Sequence, residues 1–137
     1  MREILFRAKR IDNGEWVEGY YQKRYDEIGR ERHYIFWCES HIVWEYAEVD
    51  ANTICLFTGL LDKNGNKIWE NDIVICKKEI NGNFIDEHIE MGFVEMKHGA
   101  YGLHRKQGYY RPFKDWLEGY EYEIIGNVFD NKELLEE

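Results

Sequence analysis

The chain is short of proline, cysteine and long apolar runs, and each shortage removes a class of structure. A single proline in 137 residues, beside a hydrophobic fraction of 44% and an aromatic fraction of 16%, excludes a disordered chain, which has few aromatics and low hydrophobicity. Cys38, Cys55 and Cys76 are too widely spaced to form a CxxC pair. An odd, scattered set of this kind is neither a disulfide framework nor a zinc ribbon. Each is expected as a reduced thiol buried in an apolar strand, where a thiol is hidden and poorly nucleophilic. No window reaches the roughly 18 apolar residues of a membrane span. Residues 1–7 are charged within their apolar stretch and carry no signal-peptide core. A soluble, cytoplasmic protein without a membrane partner is the expectation.

Positive charge is also scarce. The chain has 18 bases against 27 acids, a formal net charge of −9. Binding to a phosphate backbone depends on Lys and Arg displacing counterions, so this balance argues against a duplex nucleic acid partner. The charge is unevenly spread. Residues 36–75 hold two bases and seven acids, whereas 104–114 hold Arg105, Lys106, Arg111 and Lys114 with no acid.

What the chain has in quantity is aromatic side chains: five Trp, ten Tyr and seven Phe. Together with many Ile and Val they favour strands, where bulky groups fit a pleated surface. Alternation over residues 4–9, the turn Asp12-Asn13-Gly14 and a return over 16–22 predict a hairpin. An aromatic strand follows at 33–38; residues 39–48 read equally as strand or short helix. Strands are expected at 53–58, 67–69 and 73–76, then a long bent one over 85–97 with Gly92 as its bulge or kink. Residues 105–115 read as a polar, aromatic loop in which Pro112 stops strand pairing, 120–129 as the last strand, and 131–137 as one helical turn capped by Asp130 or Asn131. Short strands with turns every 8–12 residues predict a mainly β sandwich or small barrel.

Two stretches carry a resemblance. The first is Thr58-Gly59-Leu60-Leu61-Asp62-Lys63-Asn64-Gly65-Asn66-Lys67-Ile68-Trp69-Glu70-Asn71-Asp72-Ile73-Val74; the second is Tyr122-Glu123-Ile124-Ile125-Gly126-Asn127-Val128-Phe129-Asp130-Asn131 followed by Glu133-Leu134-Leu135. With the opening Arg2-Glu3-Ile4-Leu5-Phe6-Arg7-Ala8, they resemble the YopX family of phage and prophage proteins over nearly the whole length. The resemblance implies a β-barrel core with SH3-like features, an N-terminal addition and homo-oligomerisation. Joined to the residue pattern, this gives a small, partly open barrel core over residues 51–137, an N-terminal β-hairpin extension over 1–50 that is the candidate oligomerisation part, and a short C-terminal helical turn, the whole forming one compact unit. It implies no activity and no cofactor. The chain departs from the family at Asn71-Asp72, where members commonly read Gly-Asp; Asn tolerates the left-handed backbone better than most residues. Within the motif, Gly59 and Gly65 suit turns, Asp62 and Asp72 can accept backbone N–H groups in their own turns, and Ile68, Ile73 and Val74 read as core.

No chemistry stands out beside this. Cys38-x-x-His41 with His33 upstream is half of a zinc site and lacks its second pair. Asp86, Glu87, Glu90 and Glu95 read as the solvated face of a strand rather than a general acid–base pair. No catalytic, cofactor-binding or metal-ligating residue is therefore assigned. Two binding surfaces are. Arg105, Tyr109, Tyr110, Arg111, Phe113 and Trp116 mix bases with rings, a composition shared by single-strand stacking platforms and protein hot spots. Tyr34, Phe36, Trp37 and Trp44 exceed what one core face can take and suggest a subunit interface. The leading expectation is a non-enzymatic phage or prophage accessory protein that self-assembles and binds a phage or host protein. A single-stranded nucleic-acid-binding module is the alternative, and an uncharacterised enzyme the third.

Overall fold

The computed structural model describes residues 4–80, 83–84, 90–97, 99–105, 110–112 and 120–136. The protein is mainly β, in two antiparallel sheets, and among the described residues neither closes into a barrel. The chain divides into two compact units, Met1–Phe57 and Thr58–Glu137.

In the first unit, β1 (Phe6–Lys9), β2 (Trp16–Tyr25), β3 (Glu31–Cys38) and β4 (Trp44–Glu48) pair in sequence as antiparallel neighbours. The first turn uses the predicted Asn-Gly chemistry: Gly14 has φ +72°, and the Asn13 Oδ1 accepts from the Glu15 N–H at 2.9 Å. Asp26 organises the second turn by accepting the backbone N–H groups of Ile28 and Arg30. Ala8, Ile35 and Val49 form the buried centre, with Phe6, Val17, Tyr21, Trp37 and Ile54 packed against it. An isolated bridge from Arg10 to Val49 ties the end of β1 to the end of β4. The ambiguous stretch 39–48 resolves into a bent turn followed by strand β4.

β5 (Cys55–Leu61) begins in the first unit, where Cys55 and Leu56 pair with β1, and ends in the second. A short 3-10 turn, Ala51–Thr53, precedes it and is capped by the Asp50 carboxylate, which accepts the Asn52 N–H. The second unit adds β6 (Lys67–Trp69), β7 (Asp72–Ile80), β8 (Asn83–Phe84), β9 (Glu90–Lys97), β10 (Ala100–Arg105), β11 (Tyr110–Pro112) and β12 (Tyr120–Asn127). Their main sheet runs β11-β10-β9-β7-β12, with β8 paired to β7. Its core is Ile68, Val74, Cys76, Val94, Leu103 and Tyr122.

The YopX-like motif is built as turns and core. Asp62 is buried; its Oδ1 accepts the N–H groups of Asn64 and Asn66, both at 2.9 Å, and its Oδ2 accepts that of Ile124 at 3.2 Å. Burial opposes ionisation of this carboxyl, but the three backbone donors outweigh it and hold the pKa below the usual carboxylate value. Asp72, 1% exposed, accepts the Trp69 N–H at 2.8 Å. Asn71 has φ +69°, the left-handed conformation that its substitution for glycine requires.

Several local expectations are corrected. Pro112 does not stop pairing: it lies opposite Gly102 in β11, which among the described residues is the outermost strand of its sheet, a place where proline is tolerated. Gly92 sits in regular register between Val74 and Arg105; the bulge is on β12, where Ile124 faces Val74 and Gly126 faces Ile73. A Cβ at Gly126 would lie 2.5 Å from the Asn131 side chain, whose Oδ1 accepts the Asn127 N–H. Asn131 therefore braces β12 instead of capping the following 3-10 turn, Lys132–Leu135, through its side chain. Cys38 is exposed, whereas Cys55 and Cys76 are buried. The strand expected over 85–97 is observed only as Glu90–Lys97, and 85–89 lie outside the described residues. No helix of the described residues is long and apolar enough to cross a membrane.

Candidate interaction face

Alternation along β3 separates its side chains into two sets. Ile35 is fully buried, so Tyr34 and Phe36 point to the opposite face of the sheet. Pairing then brings Tyr20 of β2 opposite Phe36, Tyr46 of β4 opposite Phe36 on the other side, and Trp44 opposite Cys38. The result is a continuous array of rings across three strands. Phe36 and Tyr46 stack at 5.5 Å between centroids, Tyr34 meets Tyr46 edge-on at 6.1 Å, and Tyr20 lies 6.1 Å from Trp44. Such cross-strand ring pairs stabilise the sheet by roughly 0.2–1 kcal/mol each, far less than burial of the same rings would.

These rings are not buried within the chain. Tyr20 is 46% exposed, Trp44 57% and Tyr46 64%. Scattered exposed apolar residues are ordinary on a protein surface; a contiguous patch is not. Arg24 adds a cation over the rings, with its guanidinium 5.2 Å from the Phe36 centroid and 5.8 Å from that of Tyr34. Its Nε donates to the Gln22 Oε1 at 2.9 Å, which holds the guanidinium beside the array.

At the margin, Arg32 bridges the Glu48 carboxylate at 3.1 Å and that of Asp26 at 3.3 Å. The Glu48 hydrogen bond and charge, then the Asp26 hydrogen bond, raise its pKa. Asp26 is held below the usual range, first by the Arg30 backbone N–H and then, against burial, by the Arg30 side chain.

Of the four residues expected at a subunit interface, the structure brings together Tyr34, Phe36 and Trp44. Trp37 is on the opposite face, packed against the Ala8–Ile35–Val49 core, with its Nε1 donating to Glu39 at 3.1 Å. Tyr20, Tyr46 and Arg24 belong to the array and escaped the sequence reading. Alternation of Trp44 and Tyr46 was the available signal, hidden because 39–48 had no assigned period. Of the aromatic and basic stretch, Tyr109, Phe113 and Trp116 lie outside the described residues. The backbone of Arg105 ends β10, and Tyr110 and Arg111 pair with His104 and Leu103 in β11.

A cleft of about 450 Å³ in the first unit is lined by Lys9, Arg10, Glu31, Arg32, His33 and Glu48 among others. Several of its polar groups have partners inside the cleft or beside it. Arg10 pairs with Asp12 at 2.8 Å, Arg32 with Glu48, and His33 Nδ1 shares a 2.6 Å hydrogen bond with the Tyr21 hydroxyl. Among the described residues no three His, Cys, Asp or Glu side chains are placed to hold a metal ion.

Comparison with known proteins gives a family and a fold. The model of the family described as YopX protein matches residues 5–136. No curated protein matches the chain. A solved structure, described as protein EF1440 from Enterococcus faecalis, is similar with a TM-score of 0.54 and 22% identity, covering 99% of this chain and 100% of that one. At that identity the likeness concerns the fold alone.

Proposed function

Because the chain belongs to the YopX family, we propose that it is a non-enzymatic phage or prophage accessory protein that self-assembles and binds another protein in the cytoplasm. The observation that carries this reading is the array of exposed Tyr20, Trp44 and Tyr46 with half-buried Tyr34 and Phe36 on one face of the N-terminal sheet. Aromatic residues and arginine are the groups enriched at the centres of protein interfaces. A flat sheet face can pack against an identical face, with rings interdigitating about 10 Å between sheets. The non-enzymatic part is supported by the cleft, where Arg32 is taken up by Glu48 and Arg10 by Asp12 instead of converging on a substrate position. An SH3-like core for the second unit belongs to the same reading; its support is the antiparallel meander β7-β9-β10 flanked by the final strand.

Light scattering tests the assembly. The expected mass is a multiple of 16.6 kDa, and replacing both exposed rings, Trp44→Arg with Tyr46→Arg, is expected to give the single-chain mass with an unchanged circular dichroism spectrum. A wild-type monomer at tens of micromolar would overturn self-assembly.

A further inference from the structure

The phase of the β3–β4 ladder shows which backbone groups of β4 point away from the sheet. At one end the Val49 N–H donates to the His33 carbonyl at 2.9 Å, and at the other the Glu39 N–H donates to the Val43 carbonyl at 3.2 Å. Residues 43 and 49 therefore face β3, and in an antiparallel pair every second residue does so. Residues 44, 46 and 48 face outward. The Glu48 carbonyl is used, accepting the Ile11 N–H at 3.0 Å where β1 meets β4. Trp44 and Tyr46 are left at the edge of the sheet, and among the described residues no strand or turn pairs with their outward N–H and C=O groups.

The chemistry along this open edge has a sign. From His33 to Asp62 the sequence contains no Lys or Arg; of the acids of β4 and its end, Glu48 is paired with Arg32 and Asp50 caps the 3-10 turn, while Glu45 is exposed on the strand. Glu45 lies between the two open residues and points to the face opposite the rings. A second copy adding its own β4, with Trp44 opposite Tyr46, would set Glu45 directly against Glu45, and like charges in that position are destabilising. An extended segment with a basic residue flanked by two apolar ones meets the edge without that conflict.

We propose that β4 is a strand-addition site: an extended, basic segment of a partner protein pairs with Trp44 and Tyr46 through its backbone, sets its apolar side chains beside the exposed rings, and places a Lys or Arg beside Glu45. This rests on the protein-binding reading above and names the chemistry of the partner. Strand addition draws affinity from main-chain hydrogen bonds and specificity from alternate side chains, so the two contributions are separable.

The test uses the full chain and labelled, end-blocked seven-residue peptides read by fluorescence anisotropy at low salt. A peptide alternating valine and lysine is expected to bind saturably. N-methylation of its valines, whose amides face β4 in the paired register, should weaken binding more than tenfold, while N-methylation of its lysines should leave it nearly unchanged. A valine–glutamate peptide should bind less well than the valine–lysine peptide, and Glu45→Lys should shift that preference about threefold toward glutamate, the size of one exposed cross-strand charge pair. Absence of binding, indifference to valine methylation, or a wild-type preference for the glutamate peptide would overturn the proposal. Light scattering on the same samples keeps the readings apart. An oligomer that ignores the peptide overturns strand addition alone, and a monomer that binds it overturns self-assembly alone.

Discussion

At the scale of single residues, the side chains with the most defined roles are the short polar ones that hold turns. Asp62 accepts three backbone N–H groups from two distant parts of the chain, Asn64 and Asn66 in its own turn and Ile124 on β12. Asp62→Ala leaves those donors without their acceptor and should destabilise the protein by about 1–3 kcal/mol in urea unfolding. The pH dependence follows from the lowered carboxyl pKa. A carboxylate depressed in the folded state contributes its full stability above its ordinary value, near 4, and loses it as pH falls through the lower folded value. The gap between wild type and Asp62→Ala should thus be constant from pH 5 to 7 and narrow below about pH 4; a gap that widened on acidification would contradict this assignment. The turn itself was legible, since Asp-x-Asn-Gly-Asn has one natural conformation. The third donor, Ile124, was not, because a contact over 62 residues leaves no local trace.

Among the elements, β2 is the one on which the first unit turns. Its first half pairs with β1 and its second half with β3, and Gly19 stands at the change. A Cβ there would lie 2.1 Å from the Phe36 carbonyl oxygen and 2.9 Å from the carbonyl carbon. These are backbone atoms that no rotamer change can move. Gly19→Ala should cost about 1–3 kcal/mol through forced displacement of β3, measured as a lower denaturation midpoint. A change below about 0.5 kcal/mol would mean that the two strands approach less closely than described. Sequence pattern located β2 and β3 well, because Asn13-Gly14 and the aromatic run bracket them. It did not locate β4, whose five residues are preceded by a turn with no glycine or proline, nor β11, where the proline suggested a break that an edge strand does not feel.

For the molecule as a whole, the outer ring array sets an expectation about thermal behaviour. If folded chains associate through it, association stabilises the folded state by mass action and the melting temperature depends on concentration. The melting temperature should rise by about 2–5 °C for each tenfold increase in protein concentration, and the rise should vanish in Trp44→Arg with Tyr46→Arg. A concentration-independent melting curve for the wild type would speak against the array as a self-association surface. The mainly β class, the turns and the family were determined by the sequence alone, since turn chemistry, aromatic content and the Thr58 to Val74 motif are local properties that no packing has to supply. The tertiary structure decided which face each aromatic residue occupies. Tyr34, Phe36 and Trp37 are neighbours in the chain and alike in composition, yet only the buried position of Ile35 between them sends the first two outward and Trp37 to the core. The edge at Trp44 and Tyr46, open among the described residues, is likewise a tertiary fact, because a backbone group is paired or not only with respect to strands distant in sequence.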